Sequence, residues 1–213
     1  MNDLDVASYT ESSMSVLNYP MEMQSGDVVI DIGAHVGFLG LPMAHRGIKV
    51  YAYEPSPSNF SLLNQNKQQN RLDSLQVFPF AVSTAKGEEF FMVGQSSTTG
   101  SLQRAGFSFA KSAATQVVVQ TTTLADILTE NKIGEVKLLK MDCEGSEYDI
   151  LMQDNVKDCL KKCAFLIIEV HPVKMQYDKY QLYMHLANLG FKITVAESPG
   201  NGCADFYCRN LNA

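Results

Sequence analysis

The chain has 213 residues, 46% hydrophobic and 19% charged, which suits one α/β domain with a substantial core and leaves too little for a second. A formal net charge of −6 without any basic stripe argues against a nucleic-acid grip built on phosphate contacts. No apolar run approaches the ~20 residues that span a bilayer, and the N-terminus lacks a basic flank before an apolar core, so a soluble, cytoplasmic protein without membrane insertion is expected.

Five cysteines, Cys143, Cys159, Cys163, Cys203 and Cys208, are odd in number and scattered, which fits a reducing compartment. None forms a C-x-x-C pair, so buried free thiols are expected in preference to a structural zinc site.

Residues 1–25 are polar and mixed. Met14, Val16, Leu17, Tyr19, Met21 and Met23 offer anchors without a clean period, so this stretch reads as a lead-in or cap to a single domain over residues 26–213. The organising stretch is VVIDIGAHVG, Val28 to Gly37: an apolar run, a carboxylate, then a turn of small residues before another apolar segment. That order predicts strand, tight loop, helix. In a parallel α/β sheet such a loop lies at the carboxyl edge, where ligands bind and where glycines let the backbone come close. Asp31, Gly33, Ala34, His35 and Gly37 are therefore candidate cofactor residues. A dinucleotide site sets pyrophosphate against a G-x-G-x-x-G turn, and a neighbouring carboxylate would repel it. S-adenosylmethionine (SAM) carries an ammonium and a sulfonium that a carboxylate favours. An ordinary glycine-bearing corner is the alternative reading of this stretch alone.

Phe38 to Arg46 is expected as the first helix, with Pro42 inside its first turn. Lys49 to Tyr53 reads as the second strand, ending at Glu54-Pro55, at the interval where nucleoside sites set an acid against ribose hydroxyls. Ser56-Pro57-Ser58 resembles a cap and first turn leading into a helix over Asn59 to Asn66, with Phe60 and Leu63 facing inward. Ser74 to Val82 is expected as one third strand, in which Pro79 marks an edge position or a bulge. Ala81 and Val82 at its carboxyl end are candidates to border adenine, or are simply buried strand residues. From Thr84 to Thr122, short β-prone runs flank a Gly/Ser/Thr-rich tract, which predicts a β-hairpin insertion around residues 85–122 with a polar loop over the site. Ser101 and Arg104 are candidate acceptor contacts there.

Thr123 to Asn131 has the pattern of a helix with Leu124, Ile127 and Leu128 on one face. Val136 to Met141 is a buried strand running into DCEGSEYDIL, where Asp142, Glu144 and Glu147 crowd one strand end. Such crowding is costly unless a cation, a metal or a proton-transfer role relieves it, although Glu147 also suits a helix N-terminus. Ala164 to Val170 is another apolar strand, and alternation sets Glu169 and His171 on the same side. Tyr177 to Leu189 is expected as a helix stopped at Gly190, and Phe191 to Ala196 and Ala204 to Arg209 as the last strands around a Glu197 to Gly202 turn.

Together VVIDIGAHVGFLGL, YEPSPSNFSLLNQN, the FAVS strand end, LLKMDCEGSEYDIL, LIIEVHP and the closing LGFKI resemble the FkbM-type family of SAM-dependent methyltransferases over roughly residues 25–209. The resemblance implies a class I SAM-methyltransferase (Rossmann-like) fold: a mostly parallel seven-stranded sheet with an antiparallel last strand and helices on both faces. It implies O-methylation of a hydroxyl on a sugar, glycan, polyketide or related small molecule. Asp31 to Gly37 would cradle the methionine and ribose portions of SAM, Glu54 and Pro55 would meet the ribose, Ala81 and Val82 the adenine, and Asp142 the methyl or amino-acid end. His35 departs from the Asn frequent in the family.

An alcohol acceptor must lose its proton, and His171 tuned by Glu169 is the first candidate base, with Glu144 or Asp142 second. A divalent metal such as Mg²⁺ on Asp142, Glu169 and His171, with Glu144 beside them, is the competing way to acidify the hydroxyl. The alternative functions are a non-catalytic SAM-fold binding or regulatory module and a nucleotide-dependent oxidoreductase. Oligomeric state is not legible from the residues.

Overall fold

The computed structural model describes residues 21–94, 100–102, 115–172, 178–197 and 202–213. Its large sheet holds seven strands. These are β1 Val28–Ile32, β2 Lys49–Tyr53, β3 Leu75–Phe78, β8 Val136–Met141, β9 Cys163–Val170, β10 Phe191–Glu197 and β11 Ala204–Asn210, in the order β10-β11-β9-β8-β1-β2-β3. All run parallel except β11, which pairs antiparallel with both of its neighbours. The expected sheet and its reversed last strand are therefore present. β1 lies where the strand order reverses, and in open α/β sheets the crevice at that point is where ligands bind.

Among the described residues the α-helices are α1 Gly40–His45, α2 Pro57–Asn70, α3 Leu124–Glu130, α4 Glu147–Leu151, α5 Lys157–Lys161 and α6 Lys179–Asn188. Strand alternation divides the core between them. Val29, Val50, Leu138 and Ile167 pack with Met43 and Leu63 under α1 and α2. Ile30, Tyr51, Leu139 and Ile168 pack with Ile127, Leu151, Leu160 and Leu182 under α3 to α6. Period-two strands with both faces apolar need cover on both sides, which the crossover helices supply. Pro42 falls in the first turn of α1, where its missing N–H leaves no bond unmade.

Two expectations change. Ser74 to Val82 is not one strand: it breaks at Pro79 into β3, the edge of the large sheet, and β4 Phe80–Val82, which belongs to a second sheet. The insertion is more than a hairpin. β5 Gly87–Val93, β6 Gly100–Leu102 and β7 Thr115–Thr122 join β4 in a four-stranded sheet of order β4-β7-β5-β6. A proline cannot donate to a ladder, so it suits the point where the chain leaves one sheet for the other. Helix α2 runs on past Asn66 to Asn70, with Arg71 in the left-handed conformation at its end. Met21 and Met23 pack against the α1 and α2 core, while Met14, Val16, Leu17, Tyr19, Arg104 and Phe107 to Ala114 lie outside the described residues.

Candidate active site

The carboxyl ends of β1, β2 and β8 open on a cavity of about 280 Å³. Its polar end is formed by Gly33, His35, Asp142, Glu144 and Ser146, and its apolar side by Tyr53, Phe80, Ala81, Val82, Phe91 and Leu102. Glu54, Pro55, Ser58 and Asn59 lie along the same cavity.

The Gly33 turn is built for close approach. Gly33 has φ +75°, and an added Cβ would come within 1.8 Å of the Asp142 carbonyl oxygen. The N–H groups of Gly33 and Ala34 both donate to the Tyr53 carbonyl, at 3.0 and 3.1 Å. His35 is left-handed too (φ 50°), a region that Asn and His visit more readily than most residues. That explains how His stands where the family often has Asn. Its ring stacks on Phe38 at 6.0 Å.

Glu54 clasps this turn. Its Oε2 accepts from the His35 N–H at 2.8 Å and its Oε1 from the Ser56 N–H at 2.9 Å. Burial pushes its carboxyl up to about 7 against the pull of those hydrogen bonds. The neighbouring Tyr53 ring stacks on Phe78 with centroids 4.7 Å apart, and its hydroxyl accepts from Asn131 Nδ2 at 3.2 Å.

Of the expected cofactor residues, Gly33, His35, Glu54, Pro55, Ala81, Val82 and Asp142 line the cavity. Asp31, Ala34 and Gly37 support it from behind: Asp31 is 1% exposed, and a Cβ on Gly37 would meet Leu63 at 2.7 Å. Asp31 is therefore not a direct carboxylate wall for a cationic ligand. Its nearest counter-charge is Lys140, whose Nζ lies 3.5 Å from Asp31 Oδ1. Burial still raises the Asp31 carboxyl, with Lys140 opposing. Ser101, expected as an acceptor contact, is 2% exposed within β6.

The DCEGSE segment forms a turn in which Glu144 (φ 55°) and Gly145 (φ 101°) are both left-handed. Glu147, fully buried, holds that turn. Its Oε1 accepts from the Cys143 N–H and its Oε2 from the Gly145 N–H, each at 2.8 Å, and Oε1 lies 3.2 Å from His171 Nδ1. On the other side of the ring, His171 Nε2 lies 3.5 Å from Glu144, 3.7 Å from Glu169 and 4.0 Å from Asp142. The expected group of Asp142, Glu144, Glu169 and His171 is thus brought together, but only Asp142 and Glu144 face the cavity.

His171 is not tuned chiefly by Glu169. Burial alone would lower its pKa, but Glu147, then Asp142 and Glu144, outweigh burial and raise it to about 11. A ring held protonated does not suit a general base. Burial pushes Glu144 and Glu169 each up to about 7; Asp142 reinforces this and the charged ring opposes it. Lys140 is the polar residue that sequence reading passed over, and Glu147, expected among the crowded carboxylates or at a helix N-terminus, does start α4 but also holds the turn. The signal for Lys140 was a lysine inside the otherwise buried run VKLLKM; the role of Glu147 depends on a turn that only the fold reveals.

The methyltransferase FkbM domain model matches residues 31–193, three quarters of the chain. The chain belongs to the FkbM methyltransferase family. A curated relative of this family, the 31-O-demethyl-FK506 methyltransferase FkbM of Streptomyces tacrolimicus, is 27% identical, with 74% of this chain and 70% of the relative covered. Among solved structures, precorrin 8W decarboxylase of Methanobacterium thermoautotrophicum matches with a TM-score of 0.53 at 16% identity, covering 93% of this chain and 89% of its own. Magnesium protoporphyrin IX methyltransferase of Synechocystis PCC 6803, solved with bound SAM, matches with a TM-score of 0.50 at 14% identity, covering 97% of this FkbM chain and 78% of its own. At such identities these two establish the class I methyltransferase fold alone. By sequence the protein is a methyltransferase of the FkbM family. Among the described residues no helix is long and apolar enough to cross a membrane.

Proposed function

We propose that this FkbM-family chain transfers the methyl group of SAM to a hydroxyl oxygen of a sugar, a glycan or a related small molecule. The observation that carries the reading is the single cavity that joins an acid-rich end at Gly33, Asp142 and Glu144 to an apolar end at Ala81, Val82 and Phe91, with Glu54 between them. Such a cavity matches a ligand with a cationic amino-acid end, a ribose and a flat apolar base. Bound SAM supplies an electrophilic methyl carbon on a sulfonium.

In this reading the Gly33 turn and Asp142 hold the methionine end, Glu54 and Pro55 meet the ribose, and Ala81 and Val82 border the adenine. Glu144, facing the cavity and held near neutrality, takes the hydroxyl proton. Its carboxylate accepts that proton as the oxygen–carbon bond forms and the sulfur–carbon bond breaks, leaving S-adenosylhomocysteine and a methyl ether. His171 acts behind it as a fixed positive charge that orders the surrounding carboxylates. The curated relative is named for a substrate demethylated at an oxygen, 31-O-demethyl-FK506, which supports oxygen as the acceptor atom.

Magnesium has no step in this mechanism. The ion favours an octahedron of oxygen ligands. Here an imidazole stands among the carboxylates, and the other close group among the described residues, Glu169, His171 and Cys203, adds a thiol. These donors do not fit it. A nucleotide-dependent oxidoreductase fares worse, because pyrophosphate at the Gly33 turn would face Asp142 and Glu144 across the same cavity.

Calorimetric titration with SAM and, separately, NAD tests the proposal. Saturable SAM binding, no response to NAD, and methyl transfer to glycosides or small alcohols that survives chelation of divalent ions are expected. NAD binding alone would sink it. SAM binding without turnover on any hydroxyl acceptor would instead favour a binding module on the same scaffold.

A further inference from the structure

Parallel pairing of β1 with β8 sets Lys140 directly opposite Asp31, so the two side chains share the sheet face covered by α1. The Lys140 ammonium donates two hydrogen bonds, to the Gly33 carbonyl and Asp142, and forms an ion pair with Asp31. It donates to the Gly33 carbonyl at 2.9 Å and lies 3.5 Å from both Asp31 Oδ1 and Asp142 Oδ2. The lysine side chain is only 14% exposed and Asp31 is 1% exposed, so water does little to weaken these pairs. The other cation nearby, His171, lies 4.0 Å from Asp142 Oδ1, on the far side of that carboxylate from the Lys140 contact at Oδ2. The two turns also touch directly: the Asp142 N–H donates to the Ile32 carbonyl at 3.1 Å, and Gly33 has no room for a Cβ beside the Asp142 carbonyl.

We infer that Lys140 is a positioning residue that straps the Gly33 turn to the Asp142 turn and so sets the width of the cavity at its acid-rich end. The inference rests on reading that end as the seat of the SAM methionine moiety. Lys140 does not line the cavity; it acts through the Gly33 carbonyl and the Asp142 carboxylate, which belong to residues that do. Glu54 also holds the Gly33 turn, through the His35 N–H, while the far end at Ala81 and Val82 belongs to β4 of the second sheet and takes no part in the strap.

The test separates the two ends. Lys140→Met removes the charge and keeps the stem, but it leaves buried Asp31 without its counter-ion. The double variant Asp31→Asn with Lys140→Met removes that unpaired charge too, so a folded protein is available in which the strap is still missing. Amide hydrogen exchange of the ligand-free proteins is followed over residues 33–37 and 142–146, and SAM and adenosine are titrated separately.

In both variants, exchange in the two turns is expected to quicken by about tenfold or more while the strands of the core keep their protection. SAM affinity is expected to fall by about tenfold or more, with adenosine affinity held within about twofold. Unchanged exchange in both turns of the double variant would overturn the strap whether or not SAM binds. Equal loss of SAM and adenosine would overturn it as well, by reducing Lys140 to a general stabilising role. Wild-type protein that binds no SAM would instead sink the cofactor reading, and the exchange comparison would still decide the strap.

Discussion

Gly33 condenses the chemistry of the site into one missing atom. A Cβ there would collide with the Asp142 carbonyl and would have to sit at φ +75°. Gly33→Ala is therefore expected to destabilise the fold by more than about 1 kcal/mol and to abolish SAM binding, as thermal unfolding and titration would record. A second test concerns the proton. A base works when it has lost its own, so with Glu144 as the acceptor, turnover should rise with pH through about 7 and then level off. His171, held charged up to about 11, adds no inflection in the neutral range. Glu144→Gln should erase the limb near 7 and lower kcat by about 10²–10⁴-fold. A limb that appeared near 11 in the wild type would hand the role back to His171. The cavity residues at the ends of β1, β2 and β8 were legible because strand ends followed by Gly, Glu-Pro or Asp-Cys-Glu-Gly carry their own local signals. The partners of Lys140 and Glu147 were not, because Lys140 meets its Gly33 partner across 107 positions of sequence and Glu147 meets His171 across 24. Register and turn geometry decide such pairs, and neither is written in composition.

At the level of elements, the junction of the small sheet with the large one depends on two short signals. Pro79 ends β3, and Thr123 starts α3 after β7. The Thr123 hydroxyl accepts from the Asp126 N–H at 3.1 Å and donates to the Asp126 carboxylate at 2.8 Å, so the T-x-x-D segment caps α3. Thr123→Ala should cost about 1 kcal/mol of stability in denaturant unfolding and leave SAM affinity unaltered, since the cap faces away from the cavity. Long apolar strands such as VKLLKM and CAFLIIEV announced themselves, because burial on both faces leaves little besides branched and apolar residues. The second sheet hid itself for the opposite reason. β4 has three residues and β6 three, too short for alternation to register, and their pairing joins segments separated by a tract of Gly, Ser and Thr. Yet Phe91 and Leu102 of that sheet complete the apolar side of the cavity, so the part hardest to read supplies part of the wall.

Across the whole molecule, the net charge of −6 has a local focus. Asp31, Asp142, Glu144, Glu169 and Asp205 gather near the carboxyl edge of the large sheet, answered within that group by Lys140 and His171. SAM carries a net positive charge at neutral pH and S-adenosylhomocysteine none. Raising ionic strength, which brings the screening length to ~10 Å at 0.1 M, should therefore weaken SAM more than the product in parallel titrations. Equal salt slopes would show that the acid cluster does not reach the ligand. The antiparallel strand has its own consequence, in the order of biosynthesis. β10 is made before β11, yet among the described residues β11 is its one strand partner, and β11 in turn covers the flank of β9 that carries Glu169. A nascent chain that has emerged only as far as residue 203 would expose an unzipped flank on β9 beside an unpaired β10. Until translation passes that point, the β9 edge stays open to pairing with other strands, a hazard that the finished domain no longer carries.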